Sequence, residues 1–298
     1  MRALRLSHLQ RVLQRVHTRP VFLALWTIPL LATHGCATER AARSPGEYPH
    51  EPAGFVPIAE NRFSCNPGEA CTPLGKWTIE PGGLGSNWSI QLDPTAPESP
   101  DSVGQTLFPI GQPAGSGPVW FDGWANGGYA SVFVRKLYIA VAIRIIGPDY
   151  ENQAVGTKMG FVGYGQDPSG AANQGFCMLL GNGVQGTATA FKLGFWQQNN
   201  VSRELDQNVD TSKVMTVGPW HRWEILLEQN TLGAKNGAVR WWVDGKLIMS
   251  YNDVVFVTPG NTFGFYNYRW NPTWGGQGGV KTRDDLMRLD QLYISGAP

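Results

Sequence analysis

The 298-residue chain carries 24 basic and 23 acidic side chains, 37 Gly and 12 Trp, with 16% charged and 42% hydrophobic residues. The apolar share excludes a disordered chain, and low charge with abundant Gly and aromatics excludes a helical bundle and points to strands and turns. Residues 1–35 hold five Arg and no acid, so the remainder has 19 basic against 23 acidic residues, a net of −4. That balance lacks the cationic surface that nucleic acid requires, and none is expected as a partner.

The chain opens with an Arg-rich stretch, followed by an almost wholly apolar run from Val21 to Leu31. A basic region before a short apolar one is the pattern of an export signal, and the run is too short for a membrane span of ~20 residues. It ends in Leu31-Ala32-Thr33-His34-Gly35-Cys36, which resembles the lipobox of bacterial lipoproteins, although Thr33 and His34 depart from the usual pattern. The resemblance implies loss of a signal peptide over 1–35 and acylation of Cys36. The protein would then be exported and anchored by lipid at the outer membrane or cell surface. Cleavage at an ordinary signal-peptidase site would leave it periplasmic or secreted.

Residues 36–60, rich in Pro, Glu, Ala and Arg, read as a flexible tether, and 61–298 as one domain. Cys65 and Cys71 flank a turn-rich stretch and could close a small disulfide loop in an oxidising compartment. Cys177 sits in an apolar run and reads as a buried small hydrophobe. Beyond residue 35 the only histidines are His50 and His221, which excludes a His-rich zinc site. No metal-ligand spacing or cofactor motif stands out, and a structural calcium is left open.

Short apolar or alternating runs then recur between Gly, Asn, Pro and Asp: 131–146, 158–164, 175–180, 188–197, 220–228, 239–243, 246–251, 261–270 and 288–294. Asp244-Gly245 between two of them signals a tight hairpin. So many strands at this spacing predict an all-β sandwich or jelly roll. Alternation splits each run into two faces. Leu137, Ile139, Val141 and Ile143 oppose Lys136, Tyr138 and Arg144. Met159 and Phe161 oppose Lys158, Gly160 and Val162. Phe191, Leu193 and Phe195 oppose Lys192 and Trp196. Phe263 and Phe265 oppose Tyr266, Tyr268 and Trp270. His221 alternates with Trp223, Ile225 and Leu227 and reads as an end-of-core position. Glu224 and Glu228 read as an exposed or edge face. The second faces mix aromatics with cations, which suits a sugar polymer: rings stack on aromatics, and Lys or Arg meets uronate carboxylates.

Three segments resemble the concanavalin A-like jelly rolls, and within them the alginate and glucuronan lyases. They are Trp220-His221-Arg222-Trp223-Glu224 with Asn230-Thr231-Leu232-Gly233, Asn236-Gly237 and Trp242-Val243-Asp244-Gly245-Lys246; Gly156-Thr157-Lys158-Met159-Gly160; and Trp274-Gly275-Gly276 with Arg288-Leu289-Asp290-Gln291-Leu292-Tyr293-Ile294. The resemblance implies a jelly-roll β-sandwich of two antiparallel sheets that cleaves a uronic acid polymer by β-elimination. Its candidate neutralisers are Lys158 or Arg144. Tyr266 or Tyr268 would be acid or base, and His221 is the only histidine that could help. Trp196, Lys192, Trp270, Tyr138 and Asn267 would bind substrate. The alternatives are a non-catalytic lectin-like surface lipoprotein and a structural or adhesive surface protein. A glycosidase would need paired carboxyls; Glu204-Leu205-Asp206-Gln207-Asn208 offers an incomplete set and reads as a solvated loop.

Overall fold

The computed structural model describes residues 47–63, 78–79, 85–97, 102–125, 133–164, 174–181, 183–198, 203–260 and 264–298. The alternating runs form two antiparallel sheets. The eight-stranded sheet runs in the order β17 (Lys246–Val254), β16 (Gly237–Val243), β15 (Trp220–Glu228), β6 (Lys136–Ile146), β19 (Asp285–Ala297), β4 (Val103–Phe108) and β3 (Trp88–Gln91), with β1 (Val56–Asn61) beside the second half of β19. The seven-stranded sheet runs β13 (Arg203–Asp206), β12 (Leu193–Gln198), β9 (Gln174–Leu180), β8 (Thr157–Tyr164), β18 (Phe265–Thr273), β5 (Phe121–Ala125) and β2 (Thr78–Ile79). Two small ladders pair β7 (Tyr150–Asn152) with β10 (Gly186–Ala188), and β11 (Ala190–Phe191) with β14 (Met215–Thr216).

One core lies between the sheets. Leu137, Ile139, Val141 and Ile143 of β6 and Trp223, Ile225 and Leu227 of β15 contribute from one side, and Phe176, Met178 and Phe195 from the other. Trp241 bridges the layers, 4.5 Å from Phe195 and 5.0 Å from Trp223 between ring centroids. Asp244 and Gly245 close the β16–β17 hairpin at φ of 51° and 78°, the left-handed pair of a tight twisted turn. The core faces expected for β6, β12 and β15 are all found here.

Four expectations are corrected. In β18 the register shifts at Phe265/Asn267 and again at Tyr268/Arg269, and in the β8–β9 ladder it shifts between Lys158 and Phe161. A bulge puts one extra residue into a strand and reverses the facing of everything after it. Hence Phe265, Tyr268 and Trp270 all enter the core, as do Met159 and Val162, while Phe161 turns outward and is half-exposed. Secondly, the fold begins before residue 61. Val56–Asn61 is a strand, and the segment before it lies across the outer face of the eight-stranded sheet. There Tyr48 stacks on Tyr293 at 4.0 Å, and His50 stacks on Trp242 at 4.4 Å. Thirdly, Glu224 is not exposed: it is buried beneath this strap, where it accepts hydrogen bonds from the His50 N–H and the Tyr138 hydroxyl. Finally, Arg203–Asp206 is an edge strand rather than a loop, with Leu205 in the core and Glu204 and Asp206 outward. The signal segment 1–35, Cys36, Cys65, Cys71 and Phe263 lie outside the described residues. Cys177 is a buried free thiol.

Candidate functional site

The outward side of the seven-stranded sheet is where cations and rings meet in the open. Lys158 on β8 places its ammonium 4.9 Å from the centroid of the Trp196 ring on β12. Both side chains are half-exposed, while Cys177 and Leu179, their register partners on β9, are buried. Burial pushes the Cys177 thiol up in pKa, against the opposing pull of Lys158, so it stays a neutral spacer. The ladder carries a straight row across four strands: Trp196 pairs Cys177, Cys177 pairs Phe161, and Phe161 pairs Arg269. Arg269 lies 4.2 Å from the ring centroid of Trp120, which precedes β5. At ~4.8 Å per strand, Trp196 and Arg269 stand about 14 Å apart, the length of a short oligosaccharide. An ammonium on one indole and a guanidinium on another are held by ring quadrupoles, which fixes both cations on this side of the sheet. Thr273, the register partner of Lys158, continues into the Trp274 loop, which is pinned from below. The Trp274 indole donates to the Glu151 carbonyl at 2.9 Å, and the buried Lys281 ammonium sits 5.1 Å from the Trp274 ring and 2.6 Å from the Asp285 carboxylate.

The predicted site residues divide. Lys158 and Trp196 come together as expected. Asn267 is half-exposed on the same sheet, but its Oδ1 accepts the Gly163 N–H at 2.7 Å and so serves the bulge. Tyr266 lies over Gly163 on the outward side and is nearly buried. Lys192 is exposed and lines a recess of about 490 Å³ with Gly183, Leu193, Asp206 and Gln207.

Tyr268 and Trp270 are in the core, and burial raises the Tyr268 pKa. Arg144 and Tyr138 belong to the other sheet. Arg144 pairs with Asp93, and Tyr138 is buried under the strap with its pKa raised by burial and by Glu224. His221 is a structural plug: Nδ1 meets the Asp244 carboxylate at 2.8 Å, and Nε2 accepts the Thr216 N–H at 3.1 Å. Both ring nitrogens are committed, so it offers no free base. Sequence reasoning missed Phe161, Arg269 and Trp120. The available signal was Gly160 and Gly163 inside one strand pattern, since interior glycines mark bulges. Among the described residues no group of three or more His, Cys, Asp or Glu side chains is placed to hold a metal ion, and no helix is long and apolar enough to cross a membrane.

Among solved structures, a double mutant of the alginate lyase Aly36B in complex with alginate trisaccharide matches with a TM-score of 0.57 at 13% identity, over 82% of this chain and 98% of that one. Another Aly36B mutant, with alginate tetrasaccharide, gives 0.54 at 13% identity over 80% and 96%. The endo-β-1,4-glucuronan lyase of the fungus Trichoderma reesei gives 0.46 at 11% identity over 74% and 94%. No protein-family model and no curated protein sequence matches the chain. The chain thus shares the fold of those alginate lyase structures, a jelly-roll β-sandwich of two antiparallel sheets.

Proposed function

We propose that this jelly roll holds an acidic polysaccharide along the open face of its seven-stranded sheet, with a uronate carboxylate against Lys158 and sugar rings on Trp196 and Phe161. The observation that carries the reading is the row from Trp196 through Phe161 to Arg269, in which ring faces and fixed cations share one straight track. Aromatic faces take up the C–H sides of sugars, and a guanidinium can hold a carboxylate bidentately. Glu204 and Asp206 face outward on the edge strand β13 and repel a polyanion there, which directs the chain toward Arg269.

The likeness to alginate lyases favours a second reading, turnover by β-elimination. The C5 proton leaves, the bond from C4 to the bridging oxygen breaks, that oxygen takes up a proton, and a C4–C5 double bond remains. Lys158 against the carboxylate would acidify the C5 proton. Tyr266, an acid or base candidate on this face, packs over Gly163, five residues along β8 from Lys158. Binding needs only the row of rings and cations and is the first reading.

One experiment separates the two. The purified chain is incubated with alginate, glucuronan and neutral glucans while absorbance of unsaturated ends is followed, and retention is measured on gels that contain each polymer. Retention by uronate polymers alone, lost in Lys158→Ala, supports binding; rising absorbance that Lys158→Ala abolishes adds elimination. No retention and no absorbance with any uronate polymer would sink both. The Arg-rich leader and Cys36 support export with a lipid anchor, for which mass spectrometry of the membrane fraction should find acylated Cys36 as the N-terminus; an unmodified start would refute the anchor.

A further inference from the structure

The outer face of the eight-stranded sheet carries a second polar row, far from Lys158. Register partners place Trp220 of β15 beside Arg144 of β6, Arg144 beside Arg288 of β19, Arg288 beside Gln105 of β4, and Gln105 beside Ser89 of β3. The row spans four strand steps, about 19 Å, and all five side chains are half-exposed. Two arginines directly opposite on neighbouring strands repel each other. A single buried carboxylate, Asp93, lies between them, 3.1 Å from Arg144 Nη1 and 2.9 Å from Arg288 Nη1.

Asp93 has no capacity left. Its other oxygen accepts the Thr95 N–H at 3.0 Å and the Thr95 hydroxyl at 2.6 Å, so all the lone-pair sites of the carboxylate are in use. Arg144 spends Nε on the Gly218 carbonyl, and Arg288 spends its own on Gln105 Oε1 at 2.9 Å. The Nη2 groups of both guanidiniums have no partner among the described residues. One positive charge in excess and two sets of aimed donors thus face outward. The Thr95 hydroxyl also accepts the Trp220 indole N–H at 3.3 Å, which ties the ring to the same network. Beside the row run Ile146, Leu286 and Leu107, also register partners and half-exposed, and Leu92 is 77% exposed.

We infer that this row is a second binding site, for an acidic oligosaccharide segment, whose carboxylates meet the paired Nη2 groups of Arg144 and Arg288 and whose ring stacks on Trp220. Charge complementarity selects an anion, two guanidiniums about one strand spacing apart match planar carboxylates, and the amide and hydroxyl of Gln105 and Ser89 continue the row with partners for sugar hydroxyls. Ile146, Leu286 and Leu107 lie beside the cations in a sheet surface, which suits a flat ring better than insertion into a bilayer. The site leaves the seven-stranded face free, so one chain could hold two stretches of a polymer and gain effective concentration at either.

The test uses the full chain with Lys158→Ala and Trp196→Ala, which silences the first face and any turnover there. Titration calorimetry with alginate and glucuronan tetrasaccharides should still show one site per chain. Adding Arg288→Gln should weaken it at least tenfold, and Trp220→Ala, which leaves the ion pairs intact, should do the same if Arg288→Gln fails to fold. Neutral tetrasaccharides should not bind. The inference is overturned if neither substitution changes binding, if no uronate oligosaccharide binds this background, or if only vesicles of anionic phospholipid bind and lose affinity in Arg288→Gln. Failure of the seven-stranded face reads differently: the unsubstituted chain would then show a single site that Arg288→Gln removes and Lys158→Ala does not.

Discussion

Tyr268 tests the bulge-shifted register most sharply, because the alternation of its strand puts it opposite the core, where the lyase resemblance would make it an acid or base, and the fold makes it a core residue. Its hydroxyl is buried with no hydrogen-bond partner among the described residues. Directly beneath it is Gly160, where a Cβ would come within 2.8 Å of the Tyr268 hydroxyl, 3.1 Å of the Met178 methyl and 3.2 Å of the Tyr268 ring. An unsatisfied buried hydroxyl carries a desolvation penalty of ~1–3 kcal/mol. Tyr268→Phe removes it at the expense of a small void, for a net stabilisation of about 1 kcal/mol, or ~2–4 °C in a domain of this size. Gly160→Ala alone overpacks the site by ~1–3 kcal/mol. In the Tyr268→Phe background that penalty should fall by about 1 kcal/mol, because the nearest obstructing atom is gone. Urea unfolding of the four proteins measures this coupling, and polymer retention measures function alongside. The reasoning is refuted if Tyr268→Phe destabilises the protein by more than about 1 kcal/mol, if it abolishes retention or turnover, or if Gly160→Ala is equally harmful in both backgrounds.

The strap gives a second prediction: Tyr48→Ala, which deletes a buried ring stacked on Tyr293, should destabilise the fold by about 3 kcal/mol. A denaturation midpoint unchanged within error would show that the strap is not packed in solution. A third concerns acid. The Asp93 carboxyl is held at about 2, because hydrogen bonds from Thr95 and Arg288 and the charge of Arg144 overcome the upward push of burial. A carboxyl depressed on folding contributes stability that is complete above the unfolded value near 4 and is lost as pH falls toward 2. Asp93→Asn should therefore lower stability at neutral pH and flatten the stability profile between pH 4 and 2; an unchanged slope in thermal melts across that window would refute it.

Composition, alternation and turn chemistry carried the fold class in the sequence alone. The aliphatic faces of β6 and β15 are regular over nine or more residues, and Asp244-Gly245 demands its hairpin, so these elements and their core sides follow from the residues. Trp196 was legible as an outward residue for the same reason, since no bulge separates it from the alternation used to place it, and Lys158 is outward although the β8–β9 register shifts between it and Phe161. Period-two reading has no knowledge of which strands share a sheet. Arg144 and Tyr138 do lie opposite their core face, as alternation requires, but on the sheet that turns its back on Lys158. Nor can alternation count through an inserted residue. The shifts around Tyr266 and Asn267, held by the Asn267 carbonyl on Gly163, carried Tyr268 and Trp270 inward and left Arg269 outward. The strap was hidden because residues 47–55 are polar and Pro-bearing and acquire order only from the aromatic and carboxylate partners on β6, β15 and β19. Local sequence fixes which way a side chain points from its strand; only long-range pairing decides what lies on that side of it.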